Sequence, residues 1–186
     1  MNKKLIENSV QKHSEALKLI NEDALCSAGD MLLEAINNDG TIFWCGNGGS
    51  ASQANHLSAE LIGGMYQEKN KPFKSICLNV DTAFITAWSN DDSFDNIFSR
   101  QLEALSRPGD VLISLSTSGN SPNILNGAIF AQSHQLKVLS LTGHDGGKLK
   151  SNSDININIP SDSTQRIQEM HILIGHILCD IAEQSL

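Results

Sequence analysis

Residues 45–60 read CGNGGSASQANHLSAE, directly after the apolar run TIFW at 41–44. TIFWC (41–45) has the length and the β-branched, aromatic character of a buried strand. Glycines at 46, 48 and 49 let the backbone turn sharply behind it and come close to a ligand. From residue 51 the chain consists of helix formers. His56 and Glu60 stand four residues apart and therefore share one side of that helix. Strand, glycine turn, helix is the first unit of an α/β fold, and the rest of the chain repeats the unit.

Downstream, KSICLN (74–79), DVLISLS (110–116), LKVLSLTG (136–143) and DININIP (154–160) read as further strands. Stretches 82–88, 93–106, 122–134 and 162–185 read as helices, with SNDD (89–92) as a break between the first two. YQEKNKPF (66–73) is polar and reads as a surface loop. Residues 3–37 read as two helices closed by NNDG at 37–40. The second has a clear stripe of Ala24, Ala28, Met31, Leu32, Ala35 and Ile36. The first has a thin one, Leu5, Val10, Ala16, Leu17 and Ile20, which suits either an oligomer interface or a plain surface helix. The alternation predicts a doubly wound, five-stranded parallel sheet flanked by helices. One domain covers 1–186, with 1–37 as its N-terminal helical segment.

The composition narrows the function. Of the 186 residues 40% are apolar and 18% charged, which is enough for a real core. A formal net charge of −8 argues against broad nucleic-acid or anionic-membrane binding, so no nucleic-acid or membrane partner is expected. No stretch reaches the ~20 apolar residues of a membrane helix. The N-terminus has no apolar leader core. Cys26, Cys45, Cys77 and Cys179 form no C-x-x-C pair and are expected as buried free thiols of a cytoplasmic protein.

Ligands of a doubly wound sheet bind beyond the carboxyl ends of its strands. GNGGS (46–50) lies there, but Ala51 replaces the third glycine of a dinucleotide fingerprint and no G-K-[ST] follows. The other loop, STSGNS (116–121), packs four hydroxyls into six residues ahead of a helix. Serine and asparagine in that place can cap the helix. They can equally bind an anion through hydroxyls, backbone N–H groups and the helix dipole, which suits a phosphate monoester in an acidic protein. His56 and Glu60 are open to three readings: a surface pair, an acid and base, or metal ligands. Gln168, His171 and His176 sit in the apolar helix RIQEMHILIGHILCDI, where a histidine can also be a satisfied core residue.

CGNGGSASQANHLSAEL, SNDDSFDNIFSRQ, GDVLISLSTSGNSPNI, LTGHDGGKL and TQRIQEMHILIGHILCD together resemble the phosphoheptose isomerase family of the sugar isomerase (SIS) domain group, in order and over essentially the whole chain. The resemblance implies a homotetramer with active sites between subunits. It implies interconversion of sedoheptulose 7-phosphate and D-glycero-D-manno-heptose 7-phosphate, the entry to heptose precursors of lipopolysaccharide or capsule. By the same resemblance, Ser116, Thr117, Ser118 and Ser121 match the phosphate loop. Asn47, Gly48, Gly49, Asn90 and Asp91 match sugar contacts. His56, Glu60, Gln168 and His176 match a zinc set in which Glu60 and Gln168 also touch substrate, and Glu60 and His176 match the catalytic pair. Members often carry an arginine four residues after the glutamate, where this chain has Gly64. A similar but non-catalytic relative, the DnaA initiator-associating protein, lacks the glutamate and final histidine that this chain retains. An isomerase of another sugar phosphate is the remaining alternative.

Overall fold

The structure, a computed structural model, describes residues 2–65 and 72–185. Helices α1 (Asn2–Leu17) and α2 (Glu22–Asn37) precede strand β1 (Ile42–Gly46). There follow α3 (Gly49–Gly63), β2 (Ser75–Cys77), α4 (Thr82–Asp91), a 3-10 turn (Phe94–Asn96) and α5 (Ile97–Leu105). The chain ends β3 (Val111–Ser116), α6 (Pro122–Ser133), β4 (Lys137–Gly143), α7 (Gly147–Lys150), β5 (Ile155–Ile159) and α8 (Thr164–Gln184).

All five strands are parallel, in the order β2-β1-β3-β4-β5. The period-2 alternation of side chains divides the core in two. Ile42 and Trp44 of β1, with Ile113 of β3, face α2, α3 and α8. Phe43 and Cys45 of β1, with Leu112 of β3, face α5 and α6. Strands buried on both faces explain the near-continuous apolar runs. The chain steps from β1 outward to β2, then crosses back to β3 on the other side of β1. That reversal opens a crevice between the carboxyl ends of β1 and β3, where both loops emerge.

Three sequence expectations change. Asn90 and Asp91 do not lie in a break: α4 runs through Asp91, started by Asp81, whose side chain accepts from the Phe84 N–H at 2.9 Å. The surface-loop reading of 66–73 falls outside the described residues for 66–71, while Phe73 is buried in the core, its N–H donating to the Leu61 carbonyl at 3.0 Å. Cys26 is exposed, because the buried stripe of α2 is Leu25, Ala28, Gly29, Leu32 and Ala35 and Cys26 falls beside it. The one-turn α7 has no counterpart in the sequence reading.

Gly64 has a backbone reason. It terminates α3 with φ +82 and ψ 143, its N–H donating to the Glu60 carbonyl at 2.7 Å. This is close to the region that only glycine occupies cheaply, and other residues pay about 1–3 kcal/mol there. Gly64→Arg is therefore expected to lower stability by about 1–3 kcal/mol, read as a lower urea midpoint at unchanged m-value.

Candidate active site

The glycine loop is built by close approach. A Cβ at Gly46 would lie 2.5 Å from the Ser50 carbonyl carbon and oxygen, and Gly48 has φ +55. Asn79, after β2, closes the turn: its Nδ2 donates to the Gly46 carbonyl at 2.9 Å and its Oδ1 accepts from the Gly46 N–H at 3.1 Å. The backbone thus enters α3 two residues earlier than residue composition suggests, at Gly49.

The serine loop is equally tied. Ser116 is buried, and its Oγ accepts from the Gly119 N–H at 3.1 Å. Gly119 has φ +61, and a Cβ there would sit 2.0 Å from the Gly146 carbonyl oxygen. The Gly119 carbonyl accepts from the Leu149 N–H at 2.9 Å, and Asn120 Oδ1 accepts from the Lys148 N–H at 3.1 Å. The GHDGGKL segment, α7 included, is therefore the brace of this loop. Capping does not account for Ser121: it is the N-cap of α6 but makes no side-chain bond to the helix. Ser118 Oγ accepts from the Asn120 N–H at 3.2 Å, which leaves its own O–H to donate outward.

Helices α3 and α8 run in the same direction and touch closely. A Cβ at Gly175 would lie 2.2 Å from Leu57 Cδ1, and one at Gly49 would lie 2.7 Å from Gln168 Nε2. Gln53 Nε2 donates to the Gln168 carbonyl at 2.7 Å. This contact brings the Nε2 atoms of His56 and His176 to 2.9 Å, with Glu60 Oε1 3.5 Å from His56 Nε2. Glu60 and His176 thus flank His56. Glu60 is about a quarter exposed and His56 about half, at 24% and 48% of their side chains, so both can meet a ligand.

Other predicted residues stand apart from this cluster. Gln168 lies against Gly49, two turns or ~12 Å down α8 from His176. Asn90 and Asp91 are exposed and bonded to each other at 2.8 Å, on a helix whose Phe84, Ile85 and Trp88 pack on the opposite face of the sheet. His171 is a core histidine. It is fully buried, and its Nε2–H donates to the Thr142 carbonyl at 3.0 Å. Its buried Nδ1 has no partner, so protonation would bury an unpaired N–H, and burial pushes its pKa down to about 4. The thiols of Cys45 and Cys179 are pushed up to about 12, mainly by burial, and offer no thiolate.

A metal fits by donor chemistry rather than as a finished cage. Zinc takes imidazole nitrogen and carboxylate oxygen. Two such ligands at ~2.05 Å around a tetrahedral ion stand ~3.4 Å apart, close to the 3.5 Å between Glu60 Oε1 and His56 Nε2, while the two Nε2 atoms at 2.9 Å stand at hydrogen-bond distance. Among the described residues no three His, Cys, Asp or Glu side chains already converge on one point.

Sequence reasoning missed Asn79, Asn123, Gln53 and Gly175. Asn123 is buried, and its amide meets that of Asn47 across the crevice through two hydrogen bonds of 2.8 and 2.9 Å. Among the described residues no helix is long and apolar enough to cross a membrane.

The SIS domain family model matches residues 7–143, which include the parallel strands that carry these two loops at the switch point. Phosphoheptose isomerase of Helicobacter pylori is 47% identical, covering 97% of each chain. The solved phosphoheptose isomerase of Neisseria gonorrhoeae superposes with a TM-score of 0.87 at 40% identity, over 97% of this chain and 95% of that one. That of Francisella tularensis gives a TM-score of 0.90 at 36% identity, over 98% and 96%. The chain belongs to the SIS domain family and, within it, to the phosphoheptose isomerases.

The pKa of His171 sets an expected pH dependence. A histidine whose folded pKa lies below its unfolded value contributes fully above about 6.5 and loses that contribution as pH falls toward about 4. Chemical denaturation of the wild type between these limits is expected to show falling stability. His171→Gln is expected to flatten that slope.

Proposed function

We propose that this chain interconverts sedoheptulose 7-phosphate and D-glycero-D-manno-heptose 7-phosphate by enediol proton transfer, the first step toward bacterial heptose precursors for lipopolysaccharide or capsule. The observation that carries the reading is the His56–His176–Glu60 cluster on the α3–α8 contact, in a chain 47% identical to a phosphoheptose isomerase over nearly its whole length. The same cluster argues against the non-catalytic binding reading.

A ketose–aldose shift moves a proton between adjacent carbons while protons are redistributed on the two oxygens. Glu60 takes the carbon proton and returns it to the neighbouring carbon. His176 exchanges protons with the oxygens, and its bond to His56 gives that proton a second nitrogen to occupy. The phosphate sits on the loop of Ser116, Thr117, Ser118 and Ser121, held by hydroxyls, N–H groups and the N-terminus of α6 rather than by net positive charge. Asn47, Gly48 and Gly49 hold the sugar chain, and Gln168 binds it from α8.

Zinc, held by His56, Glu60 and His176, would supply polarisation of the carbonyl when bound; Gln168, ~12 Å along α8 from His176 in its own chain, would join that set from a neighbouring subunit. The protein acts in the cytoplasm as a homotetramer with sites shared between subunits. Two features support the assembly. Asn90 and Asp91 lie away from the cluster of their own chain, where a neighbouring copy can use them. In addition, α1 leaves Leu5, Ile6 and Val10 more than 60% exposed and buries only Ala16.

The deciding experiment follows heptose product from sedoheptulose 7-phosphate by NMR with metal-stripped and zinc-loaded protein. Turnover in either sample is expected, and its absence from both would sink the isomerase reading. Glu60→Gln is expected to lose at least ~10³-fold in kcat, above the usual 10²–10⁴ contribution's lower end, while still binding substrate. Near-normal turnover would remove Glu60 as the base. Ser118→Ala combined with Ser121→Ala is expected to raise KM roughly tenfold or more with a smaller change in kcat, as loss of one or two hydrogen bonds to a charged group implies.

A further inference from the structure

Asn123 lies outside every role assigned so far, yet it makes the most direct link between the two halves of the site. It is 1% exposed at the second position of α6. Asn47 Nδ2 donates to Asn123 Oδ1 at 2.8 Å, and Asn123 Nδ2 donates to Asn47 Oδ1 at 2.9 Å. Asn123 Oδ1 also accepts from the Ile124 N–H at 2.9 Å, which fixes the amide to its own helix and settles which end is oxygen. Asn47 belongs to the glycine loop after β1, and Asn123 follows the serine loop after β3. The pair therefore spans the crevice.

An asparagine amide has two N–H donors and an oxygen with two lone pairs. The reciprocal bonds engage one donor and one lone pair of Asn47. One N–H and one lone pair remain, and their direction is set by the plane of the clasp. No polar side chain other than asparagine or glutamine can donate and accept side by side in this way while remaining uncharged at all working pH values.

Resting on the isomerase reading, we infer that Asn123 is a positioning residue: through Asn47 it holds the glycine loop in register with the serine loop, so that a sugar anchored by its phosphate on one meets the correctly directed amide of the other. Asn123 itself touches no reacting atom. Its effect passes through Asn47, and this gives the inference a signature distinct from general support of the fold.

The test is a double-mutant cycle with wild type, Asn47→Ala, Asn123→Ala and the double variant. Four quantities are measured: kcat/KM, calorimetric affinity for sedoheptulose 7-phosphate, affinity for inorganic phosphate, and melting temperature. Asn123→Ala is expected to lose at least tenfold in kcat/KM and in sugar-phosphate affinity, with inorganic phosphate affinity within twofold of wild type. In the Asn47→Ala background the same substitution is expected to change kcat/KM less than twofold. Additive losses would overturn the inference, as would an Asn123→Ala protein within twofold of wild type. A parallel loss of inorganic phosphate affinity would also overturn it, since the serine loop itself would then have collapsed. Should Asn123→Ala fail to fold, Asn123→Asp replaces it: the carboxylate keeps the shape and the acceptor but cannot donate to Asn47 Oδ1, and the same criteria apply. A wild type that binds the sugar phosphate without turning it over would sink the isomerase reading alone, and the affinity cycle would still decide the role of Asn123.

Discussion

The site depends on the close packing of α3 on α8. Helices normally pack 8–10 Å apart, the distance being set by the side chains between them. Here Gly175 presents no side chain to Leu57, and Gly49 presents none to Gln168. The two glycines mark points about two turns apart along one parallel contact, so the helices approach along its length rather than at one point. His56 and His176 follow from this: each stands one residue from a member of the Leu57–Gly175 contact. The 2.9 Å between their nitrogens is a consequence of helix packing and needs no loop to produce it. Sites carried on helices are held more tightly than sites carried on loops, which suits proton transfer over short distances.

The loops obey a different logic. They are irregular backbone, and each is made rigid by residues remote in sequence. Asn79 ties Gly46, Asn123 ties Asn47, and the Gly146–Leu149 segment ties Gly119 and Asn120. Glycine is required at 119 in the serine loop and at 147 in the TGHDGG run, because a side chain at either would collide with the facing backbone. In the proposed function the serine loop holds phosphate without a cation, using the donors that such braces leave unspent. This is consistent with an acidic chain of net charge −8.

Much of this was legible in the sequence, and the boundary has physical causes. The strand–loop–helix alternation was plain because strands buried on both faces are apolar throughout, and the glycine and serine loops stood out by composition. Strand ends agreed to within about a residue for β1, β3 and β4 because turn residues bracket them. The strand order was not legible, since apolar periodicity says nothing about which side of β1 the chain returns to. Gly175 looked like one more small residue in an apolar helix, and its role exists only against Leu57. Asn123 carries no signal of its own at the start of the helix expected over 122–134, its partner lying far away at Asn47. His171 and His176 sit in one apolar helix five residues apart, and only the facing elements, β4 for one and α3 for the other, separate a core histidine from a site histidine. Asn90 and Asp91 fall in a polar cluster that reads as a break, but a helix cap at Asp81 and apolar contacts of Phe84 and Trp88 carry α4 through them.

The pairing of β1 with β3 has a consequence beyond holding the sheet together. The two loops spring from hydrogen-bonded neighbours, with Gly46 in register with Leu115. Their starting points are therefore ~4.8 Å apart, a separation dictated by main-chain geometry. The sheet acts as a gauge block between two recognition elements. Substitutions within either loop can alter which groups are gripped, but the interval between the grips belongs to the backbone. Within this strand order, divergence can retune chemistry freely while the spacing of the anchors stays constant.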